Sequence, residues 1–163
     1  PTDLERRTLP VYDRFVATRS APLPRAYLIR REAASVADLL VRHGVVVERV
    51  VGEASIEGWE FTVEEATVAE RPFQGRRLVR LEGAWRGAAV GLRPGDFVVA
   101  TDQPLVTLAH HVLEPEGLDG AVAWGFLGEV FAPGDGVPIA RLTGPLRVGR
   151  ERYGLSRGPA GSG

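Results

Sequence analysis

The sequence predicts an α+β domain, with a mixed or antiparallel sheet of about seven short strands and two helices packed on it. Three observations lead there. Short apolar or alternating runs recur along the chain, each closed by Gly or Pro. Only two stretches, 32–43 and 104–114, carry helical spacing of apolar residues. The stretch 93–126 reads in order as a turn, a buried strand, a helix, a loop and a further strand.

In chain order, residues 1–24 read as a linker that becomes an arm. Leu9, Val11, Tyr12, Phe15 and Val16 offer apolar contacts, and Pro10, Pro22 and Pro24 forbid a continuous helix. A single α+β domain is expected over 25–143. Its first strand centres on Tyr27-Leu28-Ile29. The first helix follows, with Ala33, Val36, Ala37, Leu39 and Leu40 on one face. Gly44 suits its C-terminal cap, with Arg42 and His43 near the negative end of the helix dipole. Val45–Val50 is the next strand, so strand, helix and strand suit a βαβ unit or a small α+β layer.

Trp59, Phe61 and Val63 alternate with Glu60, Thr62 and Glu64, as in a half-buried strand. Arg77, Val79, Leu81, Gly83 and Trp85 form one face of a partner strand, joined through Arg71-Pro72-Phe73-Gln74-Gly75. Ala88-Ala89-Val90 reads as a separate short edge strand. Arg93-Pro94-Gly95-Asp96 is a tight turn. Phe97–Ala100 is apolar on both faces, as a central strand is. The second helix starts near Pro104, with Thr101 or Asp102 as its cap, and Pro115 ends it. Val122, Trp124 and Phe126 read as a strand, and Val137–Leu142 as the last one. Residues 144–163 read as a flexible tail.

Composition narrows the function classes. The chain of 163 residues suits one domain with a real core. Its net charge is −1, so nothing in the balance calls for a nucleic acid or an anionic membrane as partner. No apolar run approaches the roughly 18 residues of a membrane span. There is no Cys, which excludes disulfides, thiol nucleophiles and thiolate metal sites. A chain opening on Pro1 is expected to be cut from a longer one. A terminal secondary amine can act as a base, but Pro1 leads into a polar segment and reads as a boundary.

The chemistry-bearing residues do not assemble into a motif. His111 and Glu114 stand at i and i+3, a spacing that can place an imidazole and a carboxylate on one helix face for zinc. No His follows His111 to complete the set, His110 points about 100° away around the helix, and Glu114 abuts Pro115. His43 would have to arrive from another element. No Gly-x-Ser-x-Gly occurs around Ser20, Ser35, Ser55, Ser156 or Ser162. The Gly-rich runs 117–125 and 134–136 fit neither a phosphate loop nor a dinucleotide fingerprint. Glu64, Glu65, Glu114 and Glu116 read as surface charge rather than as an acid–base pair. Arg71, Arg76, Arg77 and Arg80 read as a wet sheet face rather than an anion patch. Trp59, Trp85 and Trp124 lie in alternating runs and are expected in the core. No catalytic, cofactor-binding or metal-binding residue is therefore assigned.

Four stretches resemble the C-terminal, non-catalytic region that follows the peptidase domain of some bacterial zinc carboxypeptidases. They are Val11-Tyr12-Asp13-Arg14-Phe15 with Pro24–Ile29; Leu39–Arg49; Arg71–Arg76 through Leu81-Glu82-Gly83; and Gln103-Pro104-Leu105 through Leu113-Glu114-Pro115-Glu116 into Val122-Ala123-Trp124. The likeness covers roughly residues 10 to 142. It implies a non-catalytic accessory domain, packing on or shaping the cleft of an upstream peptidase domain. Zinc, its His-x-x-Glu and later His ligands, the general base and a carboxylate-binding Arg would belong to that upstream domain. None of those roles passes to His111 or Glu114. The chain departs from the resemblance after Trp124, where Gly125, Leu127 and Gly128 replace bulkier or polar residues. The likeness is compatible with a secreted or periplasmic parent. The alternative is a stand-alone peptide- or glycan-binding module that uses exposed aromatic residues.

Overall fold

The strand β1 (Ala26–Ile29) is buried on both faces, and the rest of the sheet is built outward from it. The computed structural model describes residues 23–128 and 130–154. The sheet is entirely antiparallel, in the order β4-β3-β6-β1-β5-β2-β7. Its other strands are β2 (Glu48–Val50), β3 (Ala54–Val68), β4 (Val79–Leu92), β5 (Phe97–Ala100), β6 (Gly136–Leu142) and β7 (Arg150–Arg152). Helices α1 (Ala34–Arg42) and α2 (Val106–Leu113) complete the α+β architecture, with a 3-10 turn at Arg31–Ala33. Two strands are not short: β3 has 15 residues and β4 has 14.

Alternation along the strands makes two cores, one on each face of the sheet. Tyr27, Ile29, Phe61, Val99 and Ile139 face the helices and pack with Val36, Leu40, Ala109 and Leu113. Ala26, Leu28, Val98, Ala140 and Leu142 face the other way, onto Ile56, Val90 and Leu92 with Leu146 and Val148. The long hairpin serves both cores. Val79 and Leu81 of β4 belong to the helix side, whereas Val90 and Leu92 belong to the opposite side. In β3 the pairing shifts between Val63 and Glu65, a bulge that keeps Ala66 and Val68 on the face of Phe61 and Val63.

β1 and β2 are not neighbours. β5 lies between them and pairs antiparallel with both, so the expected βαβ unit is split by an inserted strand. α1 ends as its sequence predicts. Gly44 at φ +86° donates to the Val41 carbonyl at 3.0 Å, and Val45 donates to Leu40 at 3.0 Å, the paired closure of a Schellman cap. The expected cap of α2 does not form. Leu105 takes that position without a side-chain hydrogen bond, and the Thr101 hydroxyl instead donates to the Pro24 carbonyl at 2.7 Å. Gln103 works as an extra rung of backbone. Its amide accepts from the Val46 N–H at 2.8 Å and donates to the Val46 carbonyl at 3.1 Å and the Ala100 carbonyl at 2.7 Å.

Four sequence expectations are corrected. Val122, Trp124 and Phe126 do not form a strand. Residues 121–127 form successive turns, with Gly125 donating to Val122 at 2.9 Å and Phe126 donating to Ala121 at 2.9 Å. Glycine at φ +68° in Gly125 breaks the extended path that the alternation suggested. Ala88-Ala89-Val90 is no separate strand but the continuation of β4, and the second strand of the first βαβ segment shrinks from 45–50 to Glu48–Val50. Past Gly144, where a tail is expected, β7 pairs with β2 through Glu48↔Arg152 and Val50↔Arg150. The expected arm, apart from Leu23 and Pro24, lies outside the described residues.

Close approach fixes Gly58 at the junction of β3 and β6. A Cβ there would stand 2.2 Å from the Arg141 carbonyl oxygen and 3.0 Å from a Val90 methyl. Gly58→Ala is expected to destabilise the domain by roughly 1–3 kcal/mol, with little effect from Gly87→Ala, where a Cβ meets nothing within 4 Å. Urea unfolding of the two variants beside the parent checks this.

Candidate functional site

The polar groups that converge are Tyr27, His110, Glu114 and Arg141. Tyr27 and Arg141 are cross-strand partners on β1 and β6, facing the helices. α2 is laid over them by Ala109 and Leu113, which are buried. His110 and Glu114 are one turn apart on that helix, so both hang over the Tyr27–Arg141 pair. Pro115 forces the residue before it out of helical conformation, and Glu114 is extended at φ −75°, ψ 119°. The backbone therefore leaves the helix at Glu114 while its carboxylate turns back to the sheet.

The geometry is closed. The Tyr27 hydroxyl donates to Glu114 Oε1 at 2.6 Å. His110 Nδ1 lies 2.7 Å from the same phenol oxygen. The single phenol proton goes to the carboxylate, so His110 donates through Nδ1–H and carries its lone pair on Nε2. Arg141 grips the carboxylate with both arms, Nε to Oε1 at 3.1 Å and Nη2 to Oε2 at 2.5 Å. Its guanidinium lies 4.1 Å above the Trp85 ring, and Trp85 meets Phe61 edge-on at 5.4 Å.

Burial favours the neutral forms of Tyr27 and His110. Burial raises the Tyr27 hydroxyl well above the usual phenol range, and its bond to Glu114 adds to that. Burial lowers the His110 imidazole below its ordinary 6.5, against the pull of Glu114, with Arg141 and His111 reinforcing the lowering. Both oxygens of the Glu114 carboxylate are engaged, by the guanidinium and by the phenol hydroxyl. The arrangement fastens a helix to two strands.

The other sequence candidates stay apart. His111, whose spacing to Glu114 is not assigned a site in the sequence, is exposed with its ring 6.0 Å from that of His110, and it is His110 that pairs with Glu114. The direction away from His111, which counted against His110 in the sequence, is the one that faces the sheet. His43 caps α1 and is exposed. Among the described residues no group of three or more His, Cys, Asp or Glu is gathered as metal ligands. Glu64 pairs with Arg86 at 3.7 Å on the exposed hairpin, and Glu116 accepts from the Gly83 N–H at 3.4 Å. Arg76 lies 4.5 Å over the Phe126 ring and donates to the Trp124 carbonyl at 3.2 Å, while Arg71, Arg77 and Arg80 are exposed. Of the three Trp residues expected in the core, Trp85 and Trp124 are half-buried and Trp59 is 45% exposed.

One buried charge went unrecognised in the sequence. Asp96 is 2% exposed and accepts from the Arg31 N–H at 3.1 Å and the Arg93 N–H at 3.0 Å, with Arg30 Nη1 at 3.4 Å. Its signal was the Arg-Pro-Gly-Asp turn, whose last carboxylate closes back on the first amide. Comparison with family models, with curated proteins and with solved structures gives no match.

Both ends of the pH scale test the cluster. Above pH 10.0 the unfolded chain gives up the Tyr27 proton while the folded chain keeps it, so stability falls as pH rises through 10.0. Below 6.5 the unfolded imidazole of His110 takes its proton first, so stability falls as pH drops through 6.5. Tyr27→Phe should cost about 1–3 kcal/mol at pH 7, because Glu114 and His110 each lose a partner, and should make the alkaline limb shallower, leaving the part that belongs to Tyr153, which its bond to Asp38 raises as well. Denaturant unfolding at pH 5, 7 and 11 measures all three effects.

Proposed function

We propose that this chain is a non-catalytic accessory domain of a zinc carboxypeptidase-like hydrolase, packing on or shaping the cleft of a peptidase domain that precedes it. The observation that carries the reading is how the four resembling stretches meet. Tyr27 of the first bonds to Glu114 of the fourth at 2.6 Å. Val46 of the second is bonded in both directions by Gln103 of the fourth. Arg76 of the third bonds to the Trp124 carbonyl of the fourth. Residues that carry the likeness thus hold one another in place, as expected where a likeness rests on a shared scaffold and the chemistry belongs elsewhere.

Exposed apolar side chains support an interface. Phe73, 54% exposed, lies in the β3–β4 connection, Leu118, 71% exposed, lines a groove with Ala69 and Leu78 of that connection, and Val130 is exposed on the loop before β6. Such groups are what a neighbouring domain would cover.

The gene's whole product and this chain alone provide the test. The whole product should hold about one zinc per molecule and release C-terminal residues from peptides, as one-zinc carboxypeptidase chemistry requires. The isolated 163-residue chain should be zinc-free by elemental analysis after mild dialysis. Stoichiometric zinc in the isolated chain, or a whole product with no zinc and no peptidase activity, would overturn the reading.

A further inference from the structure

The two edges of the sheet are built differently. β7 presents Arg150, Glu151 and Arg152, paired across to Glu48 and Arg49, so its edge is guarded by charge. β4, at the other edge, reads Gly-Ala-Trp-Arg-Gly-Ala-Ala-Val-Gly over 83–91, with Arg86 its only charge. Part of that edge is sealed. The Val79 N–H donates to the Ala123 carbonyl at 3.0 Å, and the Gly83 N–H to Glu116 at 3.4 Å. At the far end Arg30 donates to the Gly91 carbonyl.

All three sealed positions are odd-numbered, so alternation turns the N–H and C=O of Trp85, Gly87 and Ala89 outward as well. No described residue bonds to them there. A window remains between two seals, offering donors and acceptors about 7 Å apart along the strand, which an extended polypeptide matches.

The face beside the window adds a chemical preference. Glu57 stands across from Ala89, Trp59 across from Gly87, and Ser55 across from Gly91. Three larger side chains thus face three positions with almost none. They line an open cleft of about 520 Å³ with Gly87, Ala88 and Ala89. Glu57 is exposed and Trp59 is 45% exposed. Of the nearby cations, Arg141 is engaged by Glu114 and Arg86 by Glu64, and Arg147 lines the adjoining groove beside Glu57 and Ser55.

We propose that the Trp85–Ala89 edge of β4 binds an extended peptide by strand addition, and that the peptide residue opposite Gly87 is Lys or Arg, its cationic end held between the Trp59 indole and the Glu57 carboxylate. Main-chain bonds supply the docking, and the ring face with the acid supplies the selection. The site is independent of the accessory-domain reading, which rests on the contacts among Tyr27, Gln103, Arg76 and their partners.

The experiment uses the 163-residue chain and a labelled, capped heptapeptide, Thr-Val-Thr-Lys-Thr-Val-Thr, read by fluorescence anisotropy and by amide hydrogen exchange. The peptide should bind, slow exchange at Trp85, Gly87 and Ala89, and outbind its norleucine counterpart roughly three- to tenfold. Glu57→Gln and Trp59→Leu should each shrink that preference. Ala89→Pro, which removes an outward N–H and leaves the β3 ladder intact, should abolish binding while the circular dichroism spectrum stays native. Equal binding of the Lys and norleucine peptides, or no protection at these amides, would overturn the proposal. So would protection that appears only with dimer formation, which assigns the edge to a second copy, or protection of the free chain that vanishes when residues 1–22 are deleted, which assigns it to the chain itself.

Discussion

The bidentate pair between Arg141 and Glu114, closed by the Tyr27 hydroxyl, is the contact on which the helix side of this sheet depends. α2 has eight residues, no side-chain cap, and only Ala109 and Leu113 fully buried. A helix that short has little stability of its own. It is kept by what it docks against, and Glu114 docks it to β1 and β6 at once. The stack of Arg141 on Trp85, and the edge-on contact of Trp85 with Phe61, carry the same contact outward to β4 and β3. An ion pair with this little exposure gains modestly when intact and costs heavily when halved, because the remaining charge keeps no partner. That asymmetry makes the pair a specifier of arrangement more than a source of stability.

The polar cluster and the long hairpin divide the molecule into a fixed part and an open part. Around β1 both faces are covered, Asp96 and Gln103 satisfy local backbone groups, and Tyr153 is tied to Asp38 at 2.7 Å. Along 83–91 β4 carries small residues beside the exposed Trp59 indole of β3, and its outer edge is open at Trp85–Ala89 among the described residues. Binding groups placed on a well-held sheet lose little freedom when a partner arrives.

Much of the fold was legible because it is written locally. β1, β5 and β6 are runs whose burial needs no partner to be read, and Gly44 marks the end of α1 through its positive φ. The rest is non-local. The glycines and alanines of 83–91 look like breaks until β3, pairing from Ala54↔Leu92 to Val68↔Val79, supplies the other half of the ladder. β7 is three charged residues whose strand character comes from β2. The turn run at 121–127 keeps an alternating sequence and still folds back, because its hydrogen bonds close within three to five residues. The cluster joins residues 87 and 27 positions apart, so the helix spacing showed only one of its edges and suggested His111 where His110 takes part. Trp59 alternates like a core residue, yet β3 runs past the helices there and leaves the ring at the surface.

Glu114 and Arg141 fasten α2 to the sheet. A double-mutant cycle reads their coupling: urea unfolding of Glu114→Leu, Arg141→Met and the two together. Each single change should cost about 3 kcal/mol by leaving a charge without its partner, and the double change should recover most of that loss. Additive losses, or single changes without effect, would contradict the account and return the carboxylate to consideration as a reactive group.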